Sequence, residues 1–186
     1  MTSTSHTSKP SKFKSPLQFL DGTIIVDQRQ LLKCLEGYKF TTGHKFESVA
    51  NGATVNVLLH VPDDAERTIF FLAFEVSSDA KANIDLYFDV EFSGGTNLKI
   101  INLRRKMEGV INPVAVTLHS VTYTPSEYHL GAVHTGGVRQ FATGGLSELS
   151  GAAILDPGYN VLIAATNNSG AAQDISLRLV WWEEPV

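Results

Sequence analysis

Between Ala82 and Phe92 the chain reads Ala-Asn-Ile-Asp-Leu-Tyr-Phe-Asp-Val-Glu-Phe, with Ile84, Leu86, Phe88, Val90 and Phe92 on every second residue. Asp85, Tyr87, Asp89 and Glu91 fall between them. Strand side chains point to opposite faces in turn, so this stretch predicts a strand with one apolar and one acidic, wet face. On a helix the same carboxylates would be scattered around the circumference. A strand with one apolar face needs a second layer over it, which predicts two packed sheets.

The pattern recurs along the chain. Tyr38–Val49 reads as a strand pair or one long bent strand, broken at Gly43. Ala53–Val61 places Val55, Val57, Leu59 and Val61 inward, after an Asn51-Gly52 turn. Thr68–Val76 is almost continuously apolar and reads as a central strand. Thr96–Leu103, Pro113–Tyr123, Glu127–Val133 and Tyr159–Ala165 are further strands, and Asp174–Trp182 closes the series with Ile175, Leu177, Leu179 and Trp181 on one face. Counted from Ala53, about eight strands at a spacing of roughly 8–14 residues predict an all-β antiparallel sandwich, jelly-roll-like. One short helix is expected over Asp27–Glu36, capped by Asp27 and stopped by Gly37.

The chain has 186 residues, enough for one domain, expected over 17–186. Residues 1–16 are a Ser/Thr/Lys/Pro arm whose one large apolar residue after Met1 is Phe13. Such a composition does not fold alone, so a flexible arm that orders on a partner is expected. The first twenty residues carry +3, from Lys9, Lys12 and Lys14, against a net −4 for the whole chain. That balance argues against nucleic acid or anionic membrane as partner. The longest apolar run, Ile69–Phe74, is too short to span a bilayer, and the N-terminal residues do not read as a secretory signal. A single cysteine, Cys34, excludes an internal disulfide.

The residues give no enzyme motif. Neither a Gly-x-Ser-x-Gly elbow nor a phosphate-binding Gly-x-x-x-x-Gly-Lys is present. No catalytic residue, metal or cofactor is expected. A cupin-like metal site would need His119, His129 and His134 to meet across strands, and their spacing matches no ligand motif. Asp85, Asp89 and Glu91 read as a solvated strand face rather than a calcium site. Trp181-Trp182 offers one sugar-stacking platform at most, because one of the two must point inward.

The surface is more informative. Arg104, Arg105 and Lys106 form the one basic cluster of the body, and no lysine follows Lys106. From Gly109 to Val186 only eight of 78 residues are charged. β proteins guard exposed edges with charge, lysine above all, so a neutral half is expected to be covered by other subunits. Lys9, Lys12, Phe13, Lys14, Arg104, Arg105 and Lys106 are the candidate partner-binding residues.

The second half resembles the β-sandwich decoration and cement proteins of tailed-bacteriophage capsids. The residues that carry it run from Gly95-Thr96 and Asn102-Leu103-Arg104 through Gly136-Gly137 to Ile154-Leu155-Asp156-Pro157-Gly158-Tyr159-Asn160-Val161-Leu162-Ile163, Thr166-Asn167 and the closing Leu179-Val180-Trp181-Trp182-Glu183-Glu184. The resemblance covers Gly95–Glu184, and the N-terminal arm has no counterpart in it. It implies a non-enzymatic virion protein, made in the host cytoplasm, that binds a major capsid protein as a homo-oligomer, a trimer. The alternative is a carbohydrate- or receptor-binding module that meets a glycan through its Gly-rich loops and an exposed Trp182 or Tyr128.

Overall fold

Alternation of apolar residues decides most of the fold, and the strands fall where that pattern runs. The structure is a computed structural model that describes residues 32–104, 111–135, 140–145 and 153–185. The candidate residues Lys9, Lys12, Phe13, Lys14, Arg105 and Lys106, the arm, the Asp27 cap and Gly136-Gly137 lie outside them.

The first described element is a helix at 32–36. Gly37 ends it with φ of 83°, a left-handed value that costs glycine nothing. The Gly37 N–H donates to the Cys34 carbonyl (3.1 Å) and the Tyr38 N–H to the Lys33 carbonyl (2.9 Å), which satisfies two carbonyls of the last turn.

Eight strands of six residues or more follow. They are β1 (Lys39–Val49), β2 (Thr54–His60), β3 (Arg67–Ser78), β4 (Ala82–Phe88), β10 (His129–Thr135), β11 (Gln140–Gly145), β13 (Asn160–Asn167) and β14 (Gln173–Pro185). Six short strands complete the set: β5 (Glu91–Ser93), β6 (Thr96–Asn97), β7 (Ile101–Asn102), β8 (Val116–His119), β9 (Thr122–Thr124) and β12 (Ala153–Leu155). Sheet one has the order β11-β3-β14-β1-β7, with β12 also paired to β3, and sheet two the order β10-β4-β13-β2-β8-β6. The pairings of both sheets are antiparallel. The two sheets thus hold twelve strands rather than the expected eight, because the short strands extend their edges. The eight long ones, taken in chain order, alternate between sheets at every step but one, β4 to β10, which are neighbours in sheet two; the resulting orders β11-β3-β14-β1 and β10-β4-β13-β2 are those of a jelly roll.

Between the sheets lies the main core. Phe40, Val57, Leu59, Ile69, Phe71, Val76, Ile84, Val161, Ile163, Ile175, Leu177, Leu179 and Trp181 are almost fully buried there. Each such large side chain contributes on the order of 1.5–3 kcal/mol by leaving water. The inward residues expected for β2 and β14 are the ones found.

Three local expectations are corrected. The strand that begins at Ala82 stops at Phe88, because Asp89 takes φ of 57° and turns the chain. Val90 and Phe92 therefore leave the face of Ile84 and Leu86 and join a second cluster with Leu58, Val121, Leu162 and Ala164. β1 does not break at Gly43; it runs on, and its irregularity lies between Phe46 and Val49, where Ser48 has φ of 51°. Thr96–Leu103 is not one strand but β6 and β7, two residues each, in different sheets.

The second cluster exists because sheet two has a third layer. β5 and β9 pair as a ribbon through Glu91↔Thr124 and Ser93↔Thr122, over the outward Leu58 and Leu162. Two buried asparagines tie it down. Asn56 of β2 accepts from the Val121 N–H (2.9 Å) and donates to its carbonyl (3.0 Å). Asn160 of β13 does the same for Val90, at 3.0 Å each way. Each carboxamide thus reproduces the donor–acceptor pair of a strand neighbour.

Candidate functional site

Because the sheets are antiparallel, each end of the roll collects defined residues. One end gathers the start of β1, the end of β2, the starts of β3, β8, β10 and β13, and the ends of β4 and β14, as the registers Lys39↔Trp182, Arg67↔Pro185, Asn160↔His60, Val161↔Phe88, His60↔Val116 and His129↔Tyr87 require. The opposite end carries the turns Asn51-Gly52, Asp79–Lys81 and Asn168–Gly170 and is polar.

Among the residues whose side chains are described, the exposed large apolar ones segregate to the first end. Leu32 and Leu35 stand on the helix that precedes β1, which Lys33 ties to Glu184 of β14 (3.4 Å). Ile101 sits opposite Thr41, Val116 opposite His60 and Ile154 opposite Phe70. The Tyr159 carbonyl receives the Val61 N–H, and the Tyr128 carbonyl receives the Phe88 N–H. Tyr128 is 70% exposed, Ile154 59% and Leu35 57%. Single exposed apolar residues need no explanation, but their collection at one end of a roll marks a contact surface.

A buried charge braces this end. Glu183 is fully buried, in the inward phase of β14 after Trp181. Its carboxylate accepts from Arg67 (3.0 Å), the Val114 N–H (3.1 Å), the Ala115 N–H (3.3 Å) and the Trp181 indole N–H (3.3 Å). Arg67 also donates to the Asn112 carbonyl (2.8 Å) and lies over the Tyr38 ring. The segment 111–115 is thereby fixed between β3 and β14 without belonging to a sheet. Nothing in the residue pattern around Glu183 had marked it for function, although its place in the β14 alternation was a readable signal.

Of the basic candidates, Arg104 is described. It follows β7 at the apolar end, half-buried, with its backbone N–H on Asn102 Oδ1 (2.9 Å). Asn102 donates in turn to the carbonyls of Gly37 (2.7 Å) and Ile111 (3.2 Å), so the start of the basic cluster is anchored beside the helix.

The remaining candidates are dispersed. His119 on β8 and His129 on β10 are separated by β2, β13 and β4, a distance of about 19 Å at ordinary strand spacing. His129 pairs instead with Asp85 (3.1 Å) and stacks on Tyr87, which lies 5.8 Å from Tyr123. Burial raises the Tyr87 and Tyr123 phenols above their usual range. His119 stacks on His44. Among the described residues no three His, Cys, Asp or Glu side chains converge as metal ligands. Asp85, Asp89 and Glu91 do not share a face, since they occupy β4, the bend and the ribbon. Both tryptophans are buried: Trp181 lies in the core and Trp182 stacks on Phe70. Trp182 is therefore not a sugar platform, and of the two aromatic residues in the glycan reading only Tyr128 is exposed. No described helix is long and apolar enough to cross a membrane.

Comparison of the chain with protein-family models, with curated proteins and with solved structures finds no match.

Proposed function

We propose that this chain is a non-enzymatic virion structural protein that attaches to the outer surface of a capsid as a homo-oligomer, a trimer, and stabilises the shell. The observation that carries the reading is the gathering of Leu32, Leu35, Ile101, Val116, Tyr128, Ile154 and Tyr159 at one end of a jelly roll whose other end is polar. A roll of this kind has a foot and a head. The neutral second half of the sequence suits lateral packing of copies, and the apolar end suits the shell. Arg104 and the helix at 32–36 stand at that end, and Lys9, Lys12 and Lys14, which precede that helix in the sequence, suit an acidic capsid by their charge. Ligation of the assembled shell, and not of its free subunits, shifts the equilibrium against shell opening.

Co-sedimentation with assembled bacteriophage shells tests the proposal. The intact protein is expected to pellet with shells. Ile154→Asp combined with Tyr159→Asp should weaken attachment at least tenfold with an unchanged melting temperature, since both side chains are exposed. Deletion of residues 1–16 should weaken it by an amount that shrinks at high salt. Failure of the intact protein to bind a panel of shells, or equal binding by the doubly charged variant, refutes the reading. A monomer on the shell by light scattering of released material would remove the trimer.

A further inference from the structure

The lateral edge of the roll formed by β1 and β8 is closed by a strap. Residues 96–102 leave sheet two as β6, cross the open edge and enter sheet one as β7. Thr96 and Asn97 pair with His119 and Leu118, and Ile101 and Asn102 pair with Thr41 and Phe40. Between these short pairings the strap is held by single bonds. The Leu98 N–H donates to the Thr117 carbonyl (2.8 Å), and Thr42 Oγ1 donates to the Lys99 carbonyl (3.1 Å).

Under the strap the two sheets meet through like residues. Thr42 of β1 faces Thr117 of β8, with hydroxyls 3.5 Å apart. Two residues further along each strand, His44 faces His119. Their rings are stacked at 4.0 Å with 14° between planes, and Phe46 stands edge-on to both. Among the described residues the one polar partner of the His119 ring is the Ser120 hydroxyl, 3.0 Å from Nδ1. Such a stack is stable with one or both rings neutral. With both protonated it sets two positive charges in van der Waals contact.

The charged groups on the surrounding elements do not relieve this. On β1, Lys45 and Glu47 flank the pair, and Lys45 binds Glu47 (3.4 Å) and Asp174 of β14 (2.7 Å). On β14, Arg178 lies opposite Gly43 and holds Glu75 of β3 (2.9 Å). The strap contributes Lys99, another cation, and β2 contributes His60 at its far end. Among the described residues no carboxylate pairs with either imidazole.

We infer that the His44–His119 stack and the 96–102 strap form an acid-sensitive clasp, closed at neutral pH and released when both imidazoles take up protons. Burial, and then the neighbouring His44, lower the His119 basicity below its ordinary value of 6.5. A histidine with a lowered folded value contributes stability that is present above pH 6.5 and is lost as pH falls through the lowered value. Release frees β6 and β7 at a lateral edge and leaves the eight long strands intact, so it changes the side of the roll and not its fold. The inference is independent of the capsid reading.

Amide hydrogen exchange on the full chain tests it, with rates corrected for intrinsic pH dependence. Protection at Leu98 and Leu103 is expected to fall about tenfold between roughly pH 7 and 5, while Ile163 in β13 keeps its protection. His119→Gln and His44→Gln each remove one charge and should hold strap protection flat over the same range. If one variant does not fold, the other carries the comparison. Flat protection in the unmodified protein, or the same fall in a folded variant, overturns the clasp.

Discussion

Removal of the Glu183 carboxylate is the sharpest test of how the apolar end is held. Glu183 is fully buried and accepts from a guanidinium, two backbone N–H groups and an indole. Glu183→Ala leaves the Val114, Ala115 and Trp181 donors without an acceptor and Arg67, whose side chain is 23% exposed, without its counter-charge. A hydrogen bond to a charged group is worth about 1.5–3 kcal/mol, but bonds to one carboxylate are not additive. Breaking a buried pair from one side costs about 3–5 kcal/mol, so about 4 kcal/mol is expected here. For a domain of this size that corresponds to a fall in melting temperature of about 12 °C. Thermal and urea melts of the two proteins at neutral pH measure it, with an unchanged urea slope as the sign that the same fold unfolds. Glu183→Gln should fall between the two, because its amide oxygen still accepts while its NH₂ faces donors. In a double-mutant cycle, Arg67→Met should cost less in the Glu183→Ala background than alone. A loss under about 1 kcal/mol for Glu183→Ala, or strict additivity with Arg67→Met, would refute the account of a charge-braced end.

Three further outcomes are expected. Asn160→Ala removes both bonds to Val90 and should cost about 2 kcal/mol in a denaturant melt, with the loss of protection confined at low denaturant to the ribbon amides. Gly95→Ala should cost about 2–3 kcal/mol, because Gly95 has φ of 99° and an added Cβ would lie 2.6 Å from Val121 Cγ1; a stable variant with unchanged melting would contradict that geometry. The Tyr87 and Tyr123 phenols are held above their usual 10.0, chiefly by burial, so the stability they contribute is present below that pH and is lost as pH rises through the raised values. An alkaline absorbance titration should show late phenols that Tyr87→Phe and Tyr123→Phe each remove in part.

The sequence disclosed elements whose signal is local and periodic. Val55, Val57, Leu59 and Val61, or Ile175, Leu177, Leu179 and Trp181, declare their inward face by phase alone. It concealed what depends on distant chain. Leu58 and Leu162 occupy outward phase and look exposed until a ribbon built from 91–93 and 122–124 covers them. Asn56 and Asn160 look like ordinary polar strand residues, since their partners Val121 and Val90 are 65 and 70 residues away. Val90 and Phe92 continue a perfect alternation from Ile84, and only the turn at Asp89 takes them to another layer. The apolar end follows the same logic, because Ile101, Tyr128 and Ile154 are scattered in sequence and meet at one end by topology. Of the residues singled out for partner contact, Arg104 is placed at that end, while the others fall outside the described chain.

The asparagine clamps set how the ribbon comes and goes. A strand inside a sheet shares a ladder with its neighbours, so its loss is tied to theirs. The ribbon has no ladder to sheet two; besides apolar contact and the bonds of the Asp89 and Ser120 N–H groups to the Asn160 and Asn56 carbonyls, its flanks hang on two carboxamides. It therefore forms a cooperative unit of its own, completed after the roll and opening before it, at a free energy below that of global unfolding. When it opens, Leu58 and Leu162 are bared on a sheet that is otherwise native. The molecule thus carries a concealed greasy face whose exposure time is governed by the bonds made at two asparagines.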